Sequence, residues 1–326
     1  MTVREALAEG AAALQNHETE TPRLDAALLL AHVRGVTRER LYMDLAESMT
    51  PAELDSFRGA LDRRVSGEPV AWIIGRKEFW GLEFAVGPGV LCPRPDSEIL
   101  VEAALEIMEG MTDSDATAGR PSAAGTPSPV KLPAGSGRPS ATESTPAGPG
   151  DSPSGTFRRL HDCCCGPGTL ALALARERPD WEIGASDISG EAALYFAENN
   201  ARLCAGRVTY THADLMDGID GPFDVIVSNP PYLTPRETAE RTALGWREPV
   251  LALDGGGKDG LDVIRRLIPH VFDRLVPGGA VLMEADPLQM PMIGEILVGT
   301  GFEGVRIRRD LGDRDRVIIA RRRGGI

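Results

Sequence analysis

From Thr2 to about Arg64, apolar residues recur at three- and four-residue intervals, as in Leu24, Ala27, Leu28 and Ala31. That is the spacing of one helical face. Thr21-Pro22 and Thr50-Pro51 each place a capping hydroxyl before a first-turn proline, a helix-start signal. A bundle of about three or four helices is expected, with no visible catalytic group. The pattern then changes to Glu78-Phe79-Trp80-Gly81-Leu82-Glu83-Phe84-Ala85-Val86, aromatic and β-branched residues broken by glycine, which suits a β-hairpin. Pro93 and Pro95 lead into a helix from about Asp96 to Glu109.

From Phe157 onward, strand and helix patterns alternate. Strands are expected at 158–163, 181–186, 207–212, 223–228 and 279–284, with helices near 169–178, 190–203, 261–275 and 288–298. Such alternation predicts a doubly wound, mostly parallel sheet. Segments 304–308 and 314–320, joined by Gly312-Asp313, read as a closing antiparallel hairpin.

Between these halves, about Gly110 to Gly155 holds eight of the chain's 25 prolines and almost no large apolar residue. This composition buries too little surface to offset the entropy of ordering, so a disordered insertion is expected at about 110–156. Lengthening a short connection this far costs about 2 kcal/mol, which a stable flanking domain tolerates. The organisation that follows is a helical domain at 1–71, a hairpin linker at 72–92 and a catalytic domain at 93–326.

Composition narrows the class. The chain has 326 residues, 42% hydrophobic and 25% charged, with a formal net charge of −13. A wholly disordered protein is excluded. No run of 18 apolar residues and no basic-then-apolar leader occurs, so a cytoplasmic protein with no membrane partner is expected. The acidic balance argues against a nonspecific nucleic-acid coat. Five cysteines, three of them consecutive at 163–165, show no CxxC spacing; adjacent side chains diverge, and reduced thiols packed as small residues are expected. His17, His32, His161, His212 and His270 show no metal-ligand spacing either, and no metal site is expected.

Three motifs carry chemistry. At the end of the first strand of the sheet stands Asp162-Cys163-Cys164-Cys165-Gly166-Pro167-Gly168-Thr169. Glycines there let the backbone approach a ligand at the carboxyl edge of the sheet. Gly166, Gly168 and Ala171 match the tail of a dinucleotide fingerprint, while the whole turn matches the DxGxGxG of class I methyltransferases with Cys164 in place of one glycine. Asp187, 19 residues after Gly168, is suited to accept both hydroxyls of an adenosine ribose, as in NAD or S-adenosylmethionine, or to cap the following helix. After the fourth strand comes Ser228-Asn229-Pro230-Pro231-Tyr232-Leu233. Its prolines lack N–H donors, so the segment is an acceptor-rich clamp for an NH₂ group, with Tyr232 as a wall for a flat substrate. An amide nitrogen is a poor nucleophile; two acceptors holding its hydrogens aim it at an electrophilic methyl and stabilise the charge that develops.

These residues resemble the N-methyltransferases that use S-adenosylmethionine on exocyclic or amide nitrogens. With Gly67-Glu68-Pro69, Gly75, Glu78-Phe79-Trp80, Pro93-Arg94-Pro95-Asp96-Ser97-Glu98, Arg247-Glu248-Pro249, Ala252-Leu253 and Arg314-Asp315-Arg316-Val317, the chain more specifically resembles the peptide chain release factor glutamine methyltransferase family (PrmC or HemK). The resemblance implies a class I methyltransferase fold with a seven-stranded sheet and an N-terminal helical substrate-recognition domain. It implies S-adenosylmethionine as methyl donor and class I release factors as partners, methylated on the glutamine of the Gly-Gly-Gln loop. It puts catalytic contacts on Asn229, Pro230, Pro231 and Tyr232. It puts cofactor contacts on Asp162, Cys164, Cys165, Gly166, Pro167, Gly168, Asp187, Leu215 and Asn229. Leu215 stands where a relative carries an aromatic residue; it packs beside adenine and does not stack on it. A monomer with no direct nucleic-acid partner is expected. A ribosomal-protein glutamine, a DNA or RNA base amino group, and a non-enzymatic binding module are the competing readings. Glu284 and Asp286 either face the site or belong to a solvated loop. Arg94 and Glu98 read as ion-pair partners at the domain junction, and Arg321-Arg322-Arg323 as a solvated tail.

Overall fold

A computed structural model describes residues 1–15, 19, 21–111 and 157–324. The insertion expected at about 110–156 therefore lies, beyond Met111, outside the described residues. The chain opens with five helical segments rather than three or four: α1 (Val3–Gln15), α2 (Pro22–Arg34), α3 (Arg38–Met43), α4 (Pro51–Val65) and α5 (Val70–Ile74). The two shortest, α3 and α5, have a periodicity too brief to register in a sequence pattern. The helical run continues past residue 71 through α5. Both Thr-Pro starts are helix N-termini, by different means. Thr50 forms a reciprocal capping box with Glu53. Thr21 caps no backbone N–H; its hydroxyl donates to Asp25 Oδ1 at 2.9 Å. Asp25 also receives Arg64 Nε at 2.8 Å, tying α2 to α4 over a core that includes Leu29, Leu30 and Phe57.

The hairpin β1 (Arg76–Phe79) and β2 (Leu82–Ala85) turns at Trp80 and Gly81, both left-handed at φ 53° and 67°. Glu98 Oε1 accepts the Trp80 N–H at 2.9 Å, so Glu98 supports the turn instead of pairing with Arg94. A 3-10 turn at Pro95–Ser97 leads into α6 (Glu98–Glu109). The catalytic half runs β3 (Arg159–Cys163), α7 (Thr169–Glu177), β4 (Glu182–Asp187), α8 (Gly190–Cys204), β5 (Thr209–His212), β6 (Phe223–Ser228), α9 (Pro235–Ala243), α10 (Asp262–Arg274), β7 (Leu275–Glu284), α11 (Met290–Thr300), β8 (Phe302–Arg309) and β9 (Asp315–Arg322). Helix α9 was not anticipated; with only Thr238 buried, it lacks the apolar face that sequence periodicity detects.

The seven strands lie in the order β5-β4-β3-β6-β7-β9-β8, parallel except at β9 and β8. This is the class I methyltransferase arrangement. The chain steps outward from β3 to β5, then crosses back to β6, so the topological switch point lies between β3 and β6, where doubly wound sheets bind ligands. β6 is buried along its whole length, as a central strand requires. The basic run is no solvated tail: Arg321 and Arg322 belong to β9, and Arg321 Nη1 donates to Gly278 O at 2.9 Å. Carbonyls left open where β7 starts irregularly attract those guanidiniums.

The two halves meet at a close backbone approach. Arg247 Nε donates to Ser66 O at 3.0 Å, and a Cβ on Gly67 would lie 2.0 Å from Gly245 O, so no other residue fits there. Among the described residues, no helix is long and apolar enough to cross a membrane.

Candidate active site

The turn after β3 is held from below. Asp162 is fully buried and accepts the Ala171 N–H at 3.0 Å, pinning the first turn of α7. Burial pushes its pKa well above the ordinary carboxylate value. Cys165 N–H bonds Ser186 O, and Asn199 Nδ2 bonds Pro167 O and Ala85 O, linking turn to hairpin. Cys164 adopts φ 63°, the left-handed conformation that glycine takes most readily. This explains why the motif it resembles has glycine there. The Cys163 and Cys164 sulfurs are 3.9 Å apart, so these adjacent side chains converge rather than diverge. The left-handed backbone at Cys164 rotates its Cβ back toward its neighbour. The Cys163 thiol beside it, with burial, pushes the Cys164 pKa up, which leaves it a thiol.

Asp187 ends β4. Its Oδ2 accepts the Gly166 N–H at 2.8 Å and its Oδ1 the Ser189 N–H at 2.9 Å. The helix N-cap is Ser189, whose hydroxyl accepts the Ala192 N–H. Asp187 therefore braces the turn and presents its carboxylate on the wall above it, where the Ile188 N–H also favours its charged form. Across the mouth, Leu215 also sits at left-handed φ 54°, and its carbonyl accepts the Ser186 hydroxyl at 3.0 Å. His161 Nε2 lies 2.9 Å from that hydroxyl. Because Ser186 donates onward, His161 is the donor.

Two cavities open at this edge. The first, about 230 Å³, has Cys164, Cys165, Gly166, Pro167, Asp187, Leu215, Asn229 and Pro231 on its wall. The second, about 400 Å³, has Asn229, Tyr232, Glu284, Asp286 and Arg316 on its wall. They share Asn229, Leu91, Arg94 and Ala252. The expected site residues are thus brought together, with three standing behind the walls: Asp162, Gly168 and Pro230. Gly168, at φ 88°, caps α7 where a Cβ would lie 2.7 Å from the Phe196 ring. Pro230 is buried beneath its neighbours.

Ser228 Oγ donates to Cys163 O at 2.7 Å, joining the ends of β6 and β3. Beyond it, Leu233 pairs with Asp254, which extends the strand end as the paired prolines predict. Gln289 Nε2 donates to Tyr232 O at 2.7 Å. Burial, reinforced by nearby Glu284, pushes the Tyr232 pKa up to about 12, so the phenol stays neutral.

Two family models match parts of the chain. The PrmC N-terminal domain family matches residues 5–75, and the Methyltransferase small domain family residues 152–247. A release factor glutamine methyltransferase of Moorella thermoacetica is 34% identical across 99% of both chains. Another, of Deinococcus radiodurans, is 32% identical across the full length of both. The chain belongs to the release factor glutamine methyltransferase family. Among solved structures, a Thermus thermophilus 16S rRNA N2 G1207 methyltransferase overlays 76% of this chain and 50% of its own at 18% identity and TM-score 0.44.

Of the motifs outside the glycine turn and NPPY, Arg94, Ala252, Leu253, Arg314 and Arg316 stand on the second cavity's wall. Arg94 pairs with buried Glu248, which also accepts the Cys92 N–H at 2.9 Å. Arg94 and Arg241 stack on Trp246 with guanidinium carbons 5.6 and 4.6 Å from the ring centre. Arg316 bridges Asp310 at 3.0 Å and Asp96 at 3.4 Å. Asp286 caps the turn at Leu288, and Glu284 is buried, so neither belongs to a solvated loop. Sequence reading missed the roles of Ser97, Arg241, Trp246 and Gln289. Ser97 carried a signal, the PRPDSE run, but its partner Asn229 is 132 residues away.

Proposed function

We propose that this protein transfers a methyl group from S-adenosylmethionine to the side-chain amide nitrogen (N5) of the glutamine in the Gly-Gly-Gln motif of class I peptide chain release factors. The observation that carries this reading is Asn229 at the junction of the two cavities, where a donor held in one meets an acceptor held in the other. When bound, S-adenosylmethionine would supply an electrophilic methyl on a sulfonium: the S–CH₃ bond breaks as the N–CH₃ bond forms, S-adenosylhomocysteine leaves, and the glutamine nitrogen gives up one proton to solvent.

The residues present fit that group. Asp187, on the wall of the first cavity, would accept from a ribose hydroxyl. The turn from Cys164 to Pro167 and the Leu215 side chain would flank the rest, in a mostly apolar cavity. Asn229 Oδ1 accepts one amide hydrogen of the glutamine, which turns the nitrogen lone pair toward the methyl, while Pro230, on neither cavity, backs the wall behind Asn229. Pro231 and Tyr232 confine the flat amide, and the neutral Tyr232 phenol adds no competing charge. A net charge of −13 favours a protein substrate over a nucleic acid. The enzyme acts as a cytoplasmic monomer.

Labelled methyl transfer tests this reading, with purified release factor carrying the Gly-Gly-Gln glutamine or an alanine there, and ribosomal protein and DNA as controls. Label is expected only with the glutamine intact. Label that persists without it, or that appears on a control instead, overturns the assignment.

A further inference from the structure

An asparagine amide is nearly symmetric in shape but not in chemistry, since one end accepts and the other donates. To hold a substrate NH₂, Asn229 must present Oδ1; turned over, it would oppose a donor with a donor. The structure contains groups that discriminate between these orientations. Asn229 Nδ2 donates to Ser97 Oγ at 3.2 Å. Glu284, only 2% exposed at the end of β7, shares the second cavity's wall with Asn229, and the polar side chains of Ser97 and Asn229 beside it favour its charged form. Its Oε2 has no partner among the described residues. An ionised carboxylate has no hydrogen to give. It fixes the Ser97 hydroxyl as a donor to itself, which leaves a Ser97 lone pair for Nδ2. In the reversed orientation, Asn229 Oδ1 would face only acceptors.

We propose that Glu284, acting with Ser97, is a positioning residue that sets which end of the Asn229 amide faces the substrate. The inference rests on the proposed methyl transfer, since that reaction is what requires Oδ1 to face outward. Burial makes Glu284 harder to ionise; Arg316, with its guanidinium on the same cavity, counters this. Glu284 thus ties the RDRV and PRPDSE segments to the NPPY motif, three stretches far apart in sequence.

A double-mutant cycle tests the dependence on Asn229. Glu284→Gln keeps the shape but supplies an NH₂ that tolerates either orientation. It is expected to lower kcat on release factor about 10- to 100-fold, with the Kd for S-adenosylmethionine and the Tm unchanged. In an Asn229→Ala background the same substitution is expected to change kcat less than about twofold. Multiplying effects would show that Glu284 acts independently, and would overturn the proposal. Ser97→Ala provides the same cycle should Glu284→Gln fold poorly, with a smaller loss that also vanishes without Asn229. Exchange of the Asn229 side-chain NH₂ with solvent, followed by NMR in the absence of any substrate, should be slow in the wild type and faster in both variants. Unchanged exchange overturns the inference even if release factor is not the substrate, whereas a wild type inactive on release factor refutes only the proposed function.

Discussion

The two cavities that meet at Asn229 are built from different materials. The wall proposed to face the cofactor is a backbone construction in which the turn after β3 is braced by Asp187 and the mouth is closed by Leu215, with apolar side chains around them. The substrate-side wall is a side-chain construction, with Arg94, Arg241, Arg314 and Arg316 facing Glu284 and Asp286. A backbone cradle depends on one short stretch holding its shape and suits a ligand that is always the same molecule. A wall of charged side chains draws on many segments and suits a partner read by its own surface. The comparison predicts that substitutions on one side leave binding on the other intact.

Asn229 itself should give the largest effect, because it is the shared residue. Asn229→Ala is expected to lower kcat about 10²- to 10³-fold, the cost of losing one oriented group in the transition state. The Kd for S-adenosylmethionine should stay within about twofold, measured by calorimetry. A matching loss of cofactor affinity would mean that the two sides are not separable.

Asp187 should give the next largest effect, confined to the other side. Asp187→Ala removes the acceptor of the Gly166 and Ser189 N–H groups along with the carboxylate on the cavity wall. It is expected to weaken S-adenosylmethionine binding about 10- to 100-fold, or about 1.4 to 2.7 kcal/mol. The KM for release factor, measured at saturating donor, should not move. A rise in that KM would indicate that the turn shapes the substrate cavity as well.

The same difference explains what could be read from sequence. The cofactor side lies in contiguous motifs, and the strands that carry them match the expected ones closely, with β6 at 223–228 as anticipated. Glycine and proline signal local backbone geometry, and local geometry is what a motif encodes. The substrate side is assembled from residues near 94–98, 229–232, 241–248, 284–289 and 314–316, and only the folded sheet brings these together. The roles of Ser97 and Glu284 depend on that long-range registry. Asp162 was legible as part of the motif but not as a buried brace, because a sequence pattern cannot tell a residue on a wall from one behind it.

His161 provides the smallest and most specific test, because it shows how the cofactor side manages a buried polar group without charge. It lies beneath the sheet edge, tilted at 46° against the Phe223 ring with centroids 5.1 Å apart and bonded to Ser186, which in turn holds the left-handed Leu215. Burial, with Arg159 and Arg274 nearby, lowers its pKa from 6.5 to about 3. Below pH 6.5 the unfolded chain therefore binds a proton that the folded protein refuses. Stability should fall by about 1.4 kcal/mol per pH unit from this group between pH 6.5 and about 3, then level off. Asp162 and Glu284, whose pKa values are raised, act in the opposite sense, since the folded state takes up their protons first. The comparison must therefore be with His161→Gln, not with the absolute profile. Denaturant melts at pH 7 and pH 5 should show the variant less stable at pH 7, from lost packing, yet losing less on acidification than the wild type. Equal losses would mean that folded His161 accepts a proton freely. The Ser186 link to Leu215 would then be a charged relay, and the cofactor side would resemble the substrate side more than its uncharged wall implies.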